Sequence, residues 1–325
     1  MSLVLYRKYR PKNLDEIVAQ KGIVTVLKAA LKRQSLGHAI LLTGPRGIGK
    51  TSLARILAHE LNQIDYSLDQ TPIDIIEIDA ASNGRIDEVR DLREKIKLMP
   101  LELKYKIYII DEVHMLTKEA FNGLLKTLEE PPQHVIFILA TTEMHKVPAT
   151  IISRCQHFNL RLISDQEISE HLSQIAKKEK IDITDSAVAS LAQVARGSLR
   201  DALSLLDQLA TLNKTIDQDL IEHILGLPPQ DLTLELLKTI KNDDFQKVIE
   251  CYQKLMAQGV DAVLLAHQLA YHLRLELQKL DNKQAIGRIL LLLEDLLLIF
   301  QAHQPQTSLE IILLKHTQSG IKMKS

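Results

Sequence analysis

An α/β unit built on a five-stranded parallel sheet, followed by helical units, is the architecture that this 325-residue sequence predicts. Three observations carry that expectation. Short β-branched runs alternate with longer amphipathic segments as far as residue 161, the β runs then stop, and a glycine-rich loop stands between the first run and the helix after it. The predicted strands are residues 39–43, 73–78, 107–110, 135–139 and 156–160. Continuous apolar runs of this kind are buried on both faces, so helices must cover the sheet above and below. Beyond Arg161, apolar residues recur every three or four positions over 165–178, 186–195 and 199–212, which predicts helices. Leu227-Pro228-Pro229 interrupts that pattern, and a second helical stretch runs to about Lys315. The expected units are 1–161 (α/β), 162–227 (helical), 228–318 (helical) and a tail, 319–325.

Composition bounds the function. With 40 Lys and Arg against 41 Asp and Glu, the chain cannot hold nucleic acid by bulk charge, so any such contact is a local patch. One asymmetry exists: residues 1–55 carry eleven basic side chains against Asp15 and Glu16, so this segment faces something anionic, or solvent. Aromatics are 4% with no Trp, which argues against a base-stacking surface for single strands. The two cysteines, Cys155 and Cys251, can build neither a disulfide framework nor a four-cysteine zinc site, and a reducing cytoplasm is the expected setting. The opening MSLVLYRKYRPK has no apolar signal core. The most apolar stretch, 286–300, is interrupted by Arg288, Glu294 and Asp295, and is expected to be a helix buried among helices rather than a membrane span. Twelve histidines show no metal-binding spacing; His114 and Cys155 are expected to be structural.

The chemistry concentrates in one motif. Gly44-Pro45-Arg46-Gly47-Ile48-Gly49-Lys50-Thr51, followed by Ser52, fits G-x-x-x-x-G-K-[ST] and lies between the strand AILLT and the helix TSLARILAHEL. Glycines let such a loop wrap a phosphate with its backbone N–H groups. Lys50 then neutralises phosphate oxygens, and the Thr51 hydroxyl is placed to ligate Mg²⁺. The third strand ends in Asp111-Glu112. Asp111 is expected to hold the metal through water, and Glu112, turned to the other side of the strand end, to polarise an attacking water. Arg200 lies in the first turn of a helix capped by Ser198, where a cation opposes the helix dipole; a nearby phosphate would account for it. Arg154 precedes the last strand, and from local sequence alone it is either functional or an ordinary salt-bridge residue.

GPRGIGKTS, IEIDAASN, IDEVHML, FNGLLKTLEEPP, FILATTEMHKVPATIISRC and GSLRDALSLLDQ occur in that order. Together they closely resemble the bacterial DNA polymerase III gamma/tau family, the AAA+ motors of the sliding-clamp loader, from about residue 5 to 315. The resemblance implies an AAA+ P-loop ATPase domain, a helical lid and a helical collar that joins five subunits, delta and delta-prime among them. It makes Lys50 and Thr51 the Walker A pair, Asp111 and Glu112 the Walker B pair, Thr142 sensor 1, Arg200 sensor 2, and Arg154 an arginine finger reaching the next subunit's ATP. The opening YRKYRPKNLDEIVAQ, with Tyr9, Arg10, Pro11 and Val18, resembles the segment that folds over the adenine. Asn83, Arg85 and Lys118 match positions that touch primer–template phosphates. Leu98 and Met99 match the part that grips the β clamp. The implied function is ATP-driven opening and loading of that clamp in DNA replication, in the cytoplasm at the nucleoid, with no membrane.

Two departures qualify the likeness. The interval LNQIDYSLDQTP lacks the four cysteines of the family's usual zinc module, so ATP and Mg²⁺ are carried over and zinc is not. The chain also ends just after the collar, implying a short, gamma-like form without the tau extension. Among other functions, a DEAH-like helicase would need a second RecA-like domain, and a non-hydrolysing loader subunit would be expected to have a broken P-loop. A Holliday-junction motor is the runner-up, against which SRC and LLKTLEEPP argue.

Overall fold

The structure, a computed structural model, describes residues 3–66, 71–82, 96, 98–278 and 282–317. The chain divides into two compact units, Met1–Thr215 and Ile216–Ser325.

The first unit is built on strands β1 (Ala39–Thr43), β2 (Ile75–Asp79), β3 (Lys106–Asp111), β4 (Val135–Thr141) and β5 (Gln156–Asn159). They form one sheet in the order β2-β3-β4-β1-β5, every neighbouring pair parallel. All five predicted runs are strands, with ends displaced by a residue or two. At β2 the predicted start at 73 moves to 75 for a physical reason. The Asp74 carboxylate is buried and accepts hydrogen bonds from the backbone amides of Leu101, Glu102 and Leu103, so the chain there is bound to a loop before it enters the ladder.

The central strands β1 and β4 are buried along their whole length, and their residues alternate between two cores. Ile40 and Leu42 face helices α2 (Lys21–Lys32) and α3 (Lys50–Asn62), packing with Leu27, Leu53 and Leu57. Ala39 and Leu41 face helices α4 (Lys118–Glu129) and α5 (Ala149–Ile152), packing with Phe121, Leu124 and Ile151. Crossover helices on both faces are what parallel strands require. At the sheet's edge, Gln20 closes a reciprocal pair of hydrogen bonds with the backbone of Arg161, tying the N-terminal segment to the chain leaving β5.

Three helices follow: α6 (Asp165–Glu179), α7 (Asp185–Ala195) and α8 (Leu199–Ala210). Ser164, Thr184 and Ser198 cap them, each side chain accepting a backbone N–H, and Ser164 with Glu167 forms a complete capping box. A short helix, α1 (Leu5–Lys8), packs on α8, and Tyr9 and Lys8 both reach Glu179 at the end of α6.

The second unit is helical: α9 (Gln218–Leu225), α10 (Gln230–Lys241), α11 (Phe245–Ala257), α12 (Ala262–Leu277), α13 (Lys283–Leu298) and α14 (Pro305–Lys315). Its own core includes Leu236, Val248, Leu265, Leu269, Leu296 and Leu313. Leu227-Pro228-Pro229 falls between α9 and α10, as a helix break should. The apolar 286–300 run departs from expectation. It lies mostly on α13 but buries only a stripe that includes Leu292 and Leu296, leaving Leu290, Leu291, Leu297 and Leu298 between 47% and 64% exposed. Among the described residues, no helix is long and apolar enough to cross a membrane.

Candidate functional site

The loop between β1 and α3 owes its shape to glycine. Gly44 has φ of +139°, and a Cβ there would sit 2.4 Å from the Leu160 carbonyl oxygen. Gly47 has φ of +78°, and a Cβ would come within 1.9 Å of Ser198 Oγ. Backbone just after β5 and the Ser198 side chain at the start of α8 therefore close on the loop where glycine leaves room. The Arg200 amide donates to the Gly47 carbonyl at 3.3 Å, so α8 touches the loop directly.

Three strand ends converge beside it. Lys50 is buried, and its Nζ donates to the carbonyls of Gly44 (2.8 Å) and Pro45 (2.7 Å). Burial lowers its pKa from the ordinary lysine value, an effect opposed by the negative charges of Glu112 and Asp111. The Thr51 hydroxyl donates to Asp111 Oδ2 at 2.6 Å, and the Glu112 amide donates to Asp111 Oδ1. Burial raises the Asp111 pKa, while the Thr51 hydrogen bond works the other way. Two hard oxygen donors, a hydroxyl and a carboxylate, thus stand side by side, a donor set that suits Mg²⁺.

Glu112 leaves the end of β3 with a left-handed backbone, φ +47°. That conformation turns its side chain toward the residue after β4: Glu112 Oε2 accepts from both the Thr142 amide (3.1 Å) and the Thr142 hydroxyl (2.9 Å). His114 stands behind this pair, with Nδ1 2.9 Å from Thr141 Oγ1 and 3.4 Å from the Glu112 carboxylate, and Nε2 3.3 Å from Glu143. Because β4 lies between β1 and β3, Thr142 is delivered between the loop and the acidic pair.

Lys50, Thr51, Asp111 and Glu112 line a cleft of about 190 Å³; Thr142 is outside the lining and reaches it only through its bonds to Glu112. Tyr9, Arg10, Pro11 and Val18, and loop residues 46–52, line it as well, together with Arg200. The Arg200 guanidinium lies over the Tyr6 ring, 5.1 Å from its centroid. Tyr6, Ile17, Ile163, His171 and Leu203 also line the cleft; Tyr6 and Ile17 lie within YRKYRPKNLDEIVAQ and Leu203 within GSLRDALSLLDQ, whereas Ile163 and His171 carry no motif signal.

Other candidate residues lie elsewhere. Arg154 is outside the cleft lining, and its guanidinium donates to Glu129 at 2.6 Å and to the Thr150 carbonyl at 2.7 Å. Lys118 is exposed at the start of α4, while Leu98 and Met99 are 61% and 67% exposed beside Leu101. Asn83 and Arg85 lie outside the described residues.

The chain is similar to known proteins. The family model for the DNA polymerase III delta subunit matches residues 19–164, and that for the DNA polymerase III clamp loader subunit ATPase lid domain matches 167–212, the stretch holding α6 to α8. The chain is 39% identical over 274 residues to DNA polymerase III subunit gamma of Buchnera aphidicola subsp. Acyrthosiphon pisum, covering 79% of this chain and 76% of the relative. It is 41% identical over 287 residues to subunit tau of Bacillus subtilis, covering 83% of this chain and 51% of the relative. The chain thus spans about half the length of that tau subunit, and 44% of subunit tau/gamma of Haemophilus influenzae, with which it is 38% identical over 86% of its own length. Among solved structures, a Holliday junction branch migration motor, RuvB of Thermotoga maritima, aligns with a TM-score of 0.54 at 26% identity, covering 78% of this chain and 86% of RuvB. A five-stranded parallel sheet, a lid matched by its family model and relatives near 40% identity place the chain in the bacterial DNA polymerase III gamma/tau family, on an AAA+ fold.

Proposed function

We propose that this chain is an ATP-hydrolysing motor subunit of the DNA polymerase III clamp loader, which opens the β sliding clamp and loads it on primer–template DNA. The observation that carries the reading is the convergence of Lys50, Thr51, Asp111 and Glu112 on one cleft, with Thr51 bonded to Asp111 and Glu112 bonded to Thr142. Lys50 and the backbone N–H groups of residues 46–52 hold the triphosphate, with Gly44 and Pro45 shaping the loop, and Thr51 and Asp111 hold Mg²⁺. When bound, Mg²⁺ would neutralise charge on the β and γ oxygens. Glu112 takes up the proton of the attacking water, and Thr142, bonded to the same carboxylate, links that position to the γ-phosphate as a sensor. Arg200 meets the γ-phosphate from the lid, and Tyr9, Arg10, Pro11 and Val18 enclose the base.

Arg154 serves the neighbouring subunit's site. Lys118, with Asn83 and Arg85, contacts DNA phosphates; Leu98 and Met99 engage the clamp. On this reading 1–161 is the ATPase domain, 162–227 the lid and 228–318 the collar. The collar joins a ring with delta and delta-prime, working in the cytoplasm at the nucleoid, and zinc plays no part.

The test is steady-state ATP hydrolysis by the assembled loader with and without β clamp and primed DNA. Stimulation by the two together is the expected result. The likeness to RuvB favours a second reading, a branch-migration motor. Stimulation by four-way junction DNA, with none by clamp and primed DNA, would establish that reading instead.

A further inference from the structure

Glu179 stands against the electrostatics of its own helix. It is the last residue of α6, where the helix dipole leaves negative partial charge on the free carbonyls. Lys177 and Lys178 in the same turn suit that end, and a carboxylate does not. Its partners on the N-terminal segment supply the reason. Lys8 Nζ lies 2.7 Å from Oε1 and 2.9 Å from Oε2, and the Tyr9 hydroxyl donates to Oε1. The bonds from Lys8 and then Tyr9 lower the carboxyl pKa, and the bond to Glu179 pushes the Tyr9 phenol up to about 12. Near pH 7 the phenol is therefore a neutral donor to a charged acceptor.

The two contacts are unequal. The Lys8 side chain is 51% exposed, and an ion pair so open to water contributes little. The Tyr9 bond is partly buried and charge-assisted, so it is the stronger tie. Tyr9 is also part of the cleft lining, and so is His171, two turns before Glu179 and about 12 Å away along the α6 axis. Helix α6 thus borders the cleft near its middle and carries the partner of a second lining residue at its end. Lys50, Thr51 and Asp111 are fixed by the loop and the strand ends, whereas Tyr9 follows α1 and joins no strand. Lys8 and Lys178 both place Nζ 5.9 Å from the Tyr9 ring centroid, so cations surround the ring and the Glu179 carboxylate balances them.

Resting on the nucleotide reading above, in which Tyr9 borders the base, we infer that Glu179 is a positioning residue for nucleotide binding: its carboxylate holds the Tyr9 hydroxyl and so fixes Tyr9 as a wall of the cleft. Tyr9 gives its hydroxyl to the lid and its ring to the ligand. The end of α6 then adds to affinity for the base without touching it.

The experiment is equilibrium binding of ATP and of inorganic tripolyphosphate, each with Mg²⁺, to the full chain and its variants. Glu179→Ala and Tyr9→Phe should each weaken ATP binding about tenfold, and the double variant should be no weaker than Glu179→Ala alone. Glu179→Gln, which keeps an acceptor oxygen, should bind ATP nearly as wild type does. Lys8→Met, which removes only the ion pair, should do the same. Tripolyphosphate should bind all of them equally.

Unchanged ATP affinity in Glu179→Ala overturns the inference. So do losses that add in the double variant, a Lys8→Met loss equal to that of Glu179→Ala, or a parallel loss of tripolyphosphate binding. A wild-type chain that binds ATP no more tightly than tripolyphosphate also overturns it, while one that binds neither overturns the nucleotide reading itself. Should Glu179→Ala not fold, Tyr9→Phe, which removes a single oxygen, carries the same test: ATP affinity equal to wild type overturns the inference.

Discussion

The floor of the cleft and its wall are built by different means. The floor comprises the loop after β1 and the ends of β3 and β4. Its side chains are held by hydrogen bonds of 2.6 to 3.1 Å to backbone or to one another, next to two buried cores. The wall comprises the N-terminal segment and α6 and α8. It is held by a ring contact between Tyr6 and Arg200 and by partly exposed ion pairs, Lys8 with Glu179 and Arg161 with Glu167. Exposed pairs contribute only about 0–1 kcal/mol each. Chemistry that depends on sub-ångström placement sits where the fold is stiff, and the parts that could open and close sit where contacts are weak.

If that division is right, floor substitutions should change the chemical step most. Lys50→Ala should abolish detectable nucleotide binding by isothermal titration. Glu112→Gln should bind ATP normally yet hydrolyse it roughly 10²- to 10⁴-fold more slowly in single-turnover assays. A Glu112→Gln chain with wild-type turnover would remove that residue from the chemistry.

Arg154 belongs to neither region, and its expected effect is next in size. Arg154→Ala should leave the isolated chain's ATP affinity intact and lower clamp- and DNA-stimulated hydrolysis by about a thousandfold. Mixed rings of Arg154→Ala and Lys50→Ala subunits should recover some activity, because an intact loop can then sit beside an intact finger. Rings that assemble but stay as inactive as either parent would return Arg154 to a salt bridge with Glu129.

The junction of floor and wall can be probed at Gly47, where an added methyl meets Ser198 and the positive φ costs a non-glycine residue about 1–2 kcal/mol. Gly47→Ala should weaken ATP binding by roughly tenfold. Adding Ser198→Ala should recover only the part due to the clash. Complete recovery would mean that backbone conformation at the loop is unimportant.

The smallest effect belongs to the wall alone. Glu167 is held down to about 2 by its hydrogen bonds with Arg161 and then Ser164. A depressed folded-state value stabilises the fold above the unfolded value, near 4.5, and that contribution disappears as pH falls from there toward 2. Glu167→Ala should therefore cost about 1 kcal/mol at neutral pH and flatten the fall of Tm over that acid range. ATP turnover should be unchanged. A large loss of turnover would show that the wall is as tightly coupled to chemistry as the floor.

The floor was legible in the sequence because its chemistry demands fixed spacing. A phosphate loop must follow a strand and open a helix, and a metal-binding carboxylate must end a neighbouring strand, so Lys50, Thr51, Asp111 and Glu112 could be picked out by position. The five strands were legible because burial on both faces leaves uninterrupted apolar runs. The wall was less so. Tyr9, Arg10, Pro11 and Val18 came only from family likeness, Tyr6 and Leu203 only as members of family-like segments, and Ile163 and His171 not at all. An apolar residue or a lone histidine next to a helix's buried stripe has the same spacing whether it faces a core or a cleft. The Arg154–Glu129 pair was hidden for a related reason: its partners are far apart in sequence and meet only because α4 and the chain entering β5 lie together. The exposed leucines of α13 show the limit of composition, since a mostly apolar run, though broken by Arg288, Glu294 and Asp295, reads as a buried helix and only one stripe of it is buried in this structure.

The packing of α1 on α8 also constrains how the molecule is made. Leu5 is synthesised well before Leu199, where the helix it rests on starts. Contacts across such a separation form late, because the intervening chain must first be brought together. The sheet can assemble on the ribosome once β5 has emerged, but the pocket gains its last wall only after α8 is clear of the exit tunnel. Leu5 must wait for a partner nearly two hundred positions later in the chain. A ligand that needs both walls would therefore act as a checkpoint on completed synthesis of the first unit, capturing finished chains and passing over partial ones.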